Sequence, residues 1–142
     1  MVASHFTIKV LKEVERHSIE NKPTIHVLIN CGFIEPEQNE MAVEMIRFFC
    51  KKNNYTYGAT LCIGSGEAIL TTPFVFLVNR KIKKLVKAIQ KGRTDTMQVT
   101  MPLPKKLFIK ASTKNWLNYG EKNKISKNEM ETMKIEGGTN PY

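Results

Sequence analysis

The residue types best suited to chemistry crowd into Asn30–Asn39, NCGFIEPEQN, which sets a thiol, a glycine, an aromatic ring, two carboxylates and three amides within ten positions. Cys31, Gly32 and Phe33 offer backbone N–H donors, and Gly32 lets a ligand approach without a Cβ in the way. Cys31 stands just ahead of a helix start, where a thiol can have a lowered pKa and react; the plainer reading is a reduced thiol with no redox role. Phe33 is either a core plug or a stacking platform. Glu35, Gln38 and Asn39 are candidate polar contacts, although Glu35 also suits a helix N-terminus by its charge alone. A second short stretch, Gly64-Ser65-Gly66, reads as a small phosphate cradle of N–H groups or as a tight strand exit, and its spacing is not that of a phosphate-binding loop or a dinucleotide fingerprint.

Other chemistry is thin. His5, His17 and His26 are scattered, and Cys31, Cys50 and Cys62 are odd in number and lack CxxC spacing, so neither a zinc site nor a disulfide framework is expected. No catalytic residue and no metal ligand is assigned.

The elements that must position this loop follow from pattern. Thr24–Ile29 is a β-branched, uncharged run, the mark of a strand buried on both faces of a parallel sheet. Pro36 suits the first turn of a helix, Glu35, Glu37 and Glu40 suit its positive end, and Ala42, Met45, Ile46 and Phe49 define one buried face. Lys51 to Asn54 stop it. Tyr55–Ile63 is a second strand, expected to pair in parallel with the first because a helix lies between them. A first helix starts from a Ser4 N-cap with Val10, Leu11 and Val14 as its apolar stripe. A third starts at Thr72-Pro73, with Val78, Ile82, Leu85, Val86 and Ile89 inward, and ends at Gly92. Its Lys81, Lys84, Lys87 and Lys91 line one solvent face. Pro102-Leu103-Pro104 precedes a fourth helix running to about Gly120, with an interruption near Ser112-Thr113. Residues 1–126 are expected as one domain and 127–142 as a loose tail. The fold class is therefore α/β, with a short parallel sheet and about four helices.

INCGFIEPEQN followed by FFCKKNNYTYGATLCIGSGE resembles the second half of the flavodoxin-like NAD(P)H-dependent FMN reductases, in which a strand ending in a similar Cys/Gly-Gly-Phe-x-Glu loop faces the flavin. MVASHFTIKVLKEVE resembles the helix after that family's third strand, and LPKKLFIKASTKNWLNYGEKN its basic C-terminal helix. The resemblance implies a partial three-layer flavodoxin-like sandwich. It implies FMN as cofactor and NAD(P)H as co-substrate, with Asn30, Cys31, Gly32, Phe33, Glu35, Gln38 and Asn39 against the ring, the ribityl chain or the nicotinamide. The family's first strand, its Ser/Thr-rich phosphate loop and its Pro-Leu-Tyr loop would all precede Met1. Thr24–Ile29 then becomes a sheet edge without Pro, Lys or Glu to blunt it, and the expected partner is a second copy of the chain or a separate N-terminal half.

With 142 residues, 42% apolar and 25% charged, the chain is of single-domain size and ordinary globular composition. It shows no bilayer-spanning run and no signal-peptide pattern, so the expected location is cytoplasmic. The net charge of +9 is uneven: Arg80 to Lys124 holds 13 Lys/Arg against only Asp95 and Glu121. Such a patch favours phosphate-bearing partners in general. Without interleaved aromatics or a reading motif, nucleic-acid binding ranks below a flavin enzyme and below a non-catalytic interaction module that kept the fold and lost the cofactor.

Overall fold

A computed structural model describes residues 5–17 and 20–132, with side chains from residue 8 onward. The chain divides into two compact units, Met1–Pro102 and Leu103–Tyr142.

The first unit is α/β. Its sheet has three strands, β1 (Ile25–Asn30), β2 (Tyr57–Ile63) and β3 (Thr96–Val99), all parallel and in the order β1-β2-β3. Before β1 comes α1 (His5–Arg16); the expected Ser4 cap lies outside the described residues. Between β1 and β2 a 3-10 turn, Pro36–Asn39, leads into α2 (Glu40–Lys52), so Pro36 opens the helical segment as its fixed φ favours. The β2–β3 crossover holds α3 (Gly66–Leu70) and α4 (Val75–Gln90).

Strand β3 was not expected. It is short, and TMQV mixes polar and apolar residues, so periodicity barely marks it. The expectation that Thr24–Ile29 is buried on both faces is also corrected: Leu28 is 55% exposed, while β2 is buried from Gly58 to Ile63. Position in the sheet explains the difference. Strand β1 is an edge, and α4 packs against β2 and β3. The opposite face of β1 is covered near its start, where Ile25 joins Phe49, Cys50 and Tyr55 in a cluster with Leu11 and Val14 of α1. Phe49 and Tyr55 stack at 5.7 Å, a geometry worth roughly 0.5–1.5 kcal/mol beyond the area buried.

A bulge separates the Ile25 and Val27 pairings. Gly58 and Ala59 stand opposite His26 there, and His26 Nδ1 accepts the Ala59 N–H at 2.9 Å. The inward face of α4 is Val78, Leu85 and Ala88, with Ile82 half-buried. Val86 and Ile89, expected inside, are exposed. In α2 Phe49 is buried and Ile46 packs half-buried beside it, as expected, while Val43 and Cys50 are buried and Ala42 and Met45 only half-buried.

The second unit is a pair of helices. Helix α5 (Lys105–Lys122) runs unbroken through Ser112-Thr113, and α6 (Lys127–Thr132) occupies what was expected to be loose tail. Ser126 starts α6 with a reciprocal cap: its N–H donates to Glu129 Oε2 at 2.7 Å, and its Oγ accepts the Glu129 N–H at 3.3 Å. The rest of the expected tail, 133–142, lies outside the described residues.

Candidate functional site at the carboxyl ends of the strands

In open parallel α/β sheets, ligands bind outside the carboxyl ends of the strands. Here that edge is formed by the segments after Asn30, Ile63 and Val99. Main-chain bonds knit them together. Cys31 N–H donates to Ile63 O at 3.0 Å, Gly64 N–H to Val99 O at 2.8 Å, and Ser65 N–H to Phe33 O. Ser65 takes a left-handed conformation, φ 65°, which a non-glycine residue holds only when its surroundings fix it. They do: its Oγ lies 2.8 Å from Thr100 Oγ1 and accepts the Met101 N–H at 3.2 Å. Thr100 Oγ1 in turn donates to the Ile34 carbonyl.

This geometry favours one of the two readings of Gly64-Ser65-Gly66. Two of its N–H groups are committed to Val99 and Phe33, so they cannot cradle a phosphate, and the stretch is a tight strand exit. Gly64 is placed by space: a Cβ there would lie 2.7 Å from Ile34 O and 2.9 Å from Thr100 Oγ1. Gly66, at φ 42°, lies against Cys31 O and Gly32 Cα.

The sequence-predicted site residues separate into an inward and an outward group. Asn39 faces inward and is 1% exposed. Its Nδ2 donates to Pro36 O at 3.1 Å and Ile63 O at 3.2 Å, which fastens the 3-10 turn to the end of β2. Its Oδ1 is buried without a partner among the described residues. Asn39 is thus a brace for the loop. Cys31 is also buried, and its thiol points at the carbonyls of Glu35 (3.4 Å) and Phe33 (3.7 Å). Burial pushes this thiol up from its ordinary value, against a smaller opposing pull from the Phe33 hydrogen bond. This geometry favours the plainer reading of Cys31 over a lowered, reactive thiol, because the sulfur is buried and meets carbonyl oxygens.

The outward group is Asn30, Gly32, Phe33 and Gln38, with Glu35 half-buried. Phe33 is 53% exposed, so it is no core plug. A Cβ on Gly32 would meet nothing within 4 Å, and its φ is not in the left-handed region. What Gly32 provides is an exposed position whose Cβ direction is open, next in the chain to the exposed Phe33. For a flavin, these residues fit the polar edge of the ring, although the Cys31 N–H is already spent on Ile63. They do not fit its phosphate.

Sequence reasoning missed Ser65 and Thr100 as the pair that locks the three loops together. Thr100 follows the unrecognised strand, and without that strand its hydroxyl had no apparent neighbour.

No family model, no curated protein and no solved structure matches this chain. Among the described residues no helix is long and apolar enough to cross a membrane.

Proposed function

We propose that the chain is part of a flavodoxin-like, FMN-dependent NAD(P)H oxidoreductase whose flavin site is completed when further strands pair along the open edge of β1. The observation that carries this reading is the open backbone at Gly32, set at the carboxyl end of an edge strand in a parallel sheet. Flavodoxin-like sheets run 2-1-3-4-5 and bind FMN where strands 1 and 3 diverge. Because α1 resembles the helix after the family's third strand, β1 would stand fourth and its open edge would receive that third strand, with β3 one strand more than the resemblance allots. The exposed Leu28 agrees with an edge that receives a neighbour. That neighbour would come from a second copy of the chain or from another polypeptide. Bound FMN would accept the hydride of NAD(P)H, while Asn30, Gly32, Phe33, Glu35 and Gln38 orient the ring.

Fluorescence titration with FMN tests the reading. The expected dissociation constant is on the order of micromolar or weaker, because ring contacts act without phosphate contacts. Nanomolar affinity would mean that the phosphate is held from within the chain. Absence of quenching even at millimolar FMN would sink the flavin reading. It would leave the second one, a non-catalytic interaction module, which is favoured by a specific observation: the N–H groups of Gly64 and Ser65 are already consumed.

A further inference from the structure

A second concave site lies at the opposite end of the sheet, over the amino end of β3. Helix α4 supplies Lys81, Lys84 and Lys87; the turn into β3 supplies Arg93 and Asp95; β3 supplies Thr96 and Met97. Together they line an open cleft of about 540 Å³. The turn that forms one wall is well fixed. Arg93 N–H donates to Ala88 O at 2.9 Å, Gly92 reverses the chain at φ 62°, and Asp95 O accepts the Thr60 N–H at 2.8 Å.

Charge makes this cleft unusual. It holds four cations and one carboxylate, and that carboxylate is taken: Arg93 Nη2 lies 3.1 Å from Asp95 Oδ2. Among the described residues no ion pair involves Lys81, Lys84 or Lys87. Like charges one turn apart weaken a helix, and α4 itself contains no Asp or Glu to offset them. Strand β3 is the sheet's other edge, so its outer backbone groups are unpaired within the sheet. Thr96 adds a hydroxyl, steadied by Arg47 Nη2 at 3.2 Å. A single carboxylate would balance one of the three lysines, whereas a chain of phosphates would balance all three and use the hydroxyl as well.

We propose that this cleft binds its ligand through two or more phosphate groups, carried by a soluble polyphosphate such as a nucleoside triphosphate or by the backbone of a nucleic acid. The site is independent of the flavin reading, since none of its residues belongs to the Asn30–Asn39 loop.

Calorimetric titration of the full chain distinguishes the sources, with inorganic tripolyphosphate, ATP and a short single-stranded oligonucleotide as probes at low and at physiological salt. Lys84→Gln/Lys87→Gln alters two exposed positions and should leave the fold intact. Lys110→Gln/Lys114→Gln removes the same charge from the second unit. The expected result is binding of tripolyphosphate that weakens about tenfold or more in the cleft variant, from the loss of two charge-assisted contacts, and stays unchanged in the control. ATP bound as tightly as tripolyphosphate identifies a soluble ligand. An oligonucleotide bound more tightly than either, with a salt slope that falls by about 1.4 in the cleft variant, identifies a nucleic acid. Equal weakening in the two variants, or no binding of any probe, would overturn the proposal.

Discussion

At the carboxyl end of the sheet, Asn39, Cys31, Ser65 and Thr100 spend most of their polar capacity on one another and on the main chain. At the amino end, Lys81, Lys84 and Lys87 line a cleft whose one carboxylate, Asp95, is paired with Arg93, and among the described residues no ion pair involves these lysines. The first arrangement is a braced frame that turns Gly32, the Phe33 ring, the amides of Asn30 and Gln38 and the Glu37 carboxylate outward. The second has little frame of its own beyond one turn and a strand edge, and its chemistry is that of anions. The two ends thus differ in character: hydrogen-bonded loops at one, a group of cations at the other. Salt should weaken binding at the amino end and leave the carboxyl end largely untouched.

The largest effect should come from breaking the frame. Gly64→Ala places a Cβ 2.7 Å from the Ile34 carbonyl, 2.9 Å from Thr100 Oγ1 and 3.0 Å from Pro36 N, and two of these three neighbours are backbone atoms with no rotamer to yield. The loss of stability should be about 2–3 kcal/mol in a denaturant titration. A loss under about 0.5 kcal/mol, within the ordinary range of surface substitutions, would show that the loops adjust and that the frame is not rigid.

The contrast between the two ends was only partly legible in sequence. Strands β1 and β2, their parallel pairing and the Pro36 helix start follow from β-branched runs, the intervening helix and proline chemistry. Strand β3 does not: four residues of mixed polarity gain their structure from pairing with Thr60–Ile63, a long-range contact that no local pattern encodes. Missing β3 also hid Thr100, and with it the reason that Gly64 must be glycine. Similarly, the α4 lysines were readable as a helical stripe, yet the concavity arises only when the turn at Arg93–Asp95 folds back beside them. Residue type placed the Asn30–Asn39 loop after the first strand but did not give the direction of each side chain. Asn39 and Cys31 face inward because the 3-10 turn needs Asn39 as a brace and leaves Cys31 against carbonyls. The Ser126–Glu129 cap, by contrast, was readable from its spacing and was overlooked in a stretch of low apolar content.

A smaller effect on stability comes with pH. Burial pushes the thiols of Cys31, Cys50 and Cys62 up from their ordinary values. In the unfolded chain these thiols ionise in their ordinary range, while in the folded protein they keep their protons to higher pH. Their contribution to stability is therefore fully present below the ordinary thiol range. It is lost as pH rises through that range toward the raised folded values. Thermal unfolding followed from neutral to alkaline pH should show this decline, and Cys31→Ser should not retain the whole of it. Labelling of native protein by a thiol reagent should be slow at neutral pH. Rapid stoichiometric labelling of Cys31 there would show an accessible thiolate and contradict the inward-facing frame.

The smallest expected change in stability is at Gly32, and it sharpens the comparison most. Gly32 looks indispensable as the glycine of a ligand loop, yet its φ is not left-handed and an added Cβ would meet nothing within 4 Å. Gly32→Ala should therefore leave stability within about 0.5 kcal/mol of the parent, or raise it slightly by reducing the freedom of the unfolded chain. Binding is a different matter. If a flat ring lies on this backbone, the new methyl occupies the space that the ring needs, and FMN affinity should fall about tenfold while binding of tripolyphosphate at the distant lysines is unchanged. The two titrations on one variant make the test specific, since a general loosening of the domain would disturb both. Unaltered FMN binding in a folded Gly32→Ala protein would remove the open backbone from the flavin site, and with it the observation on which the proposed function rests.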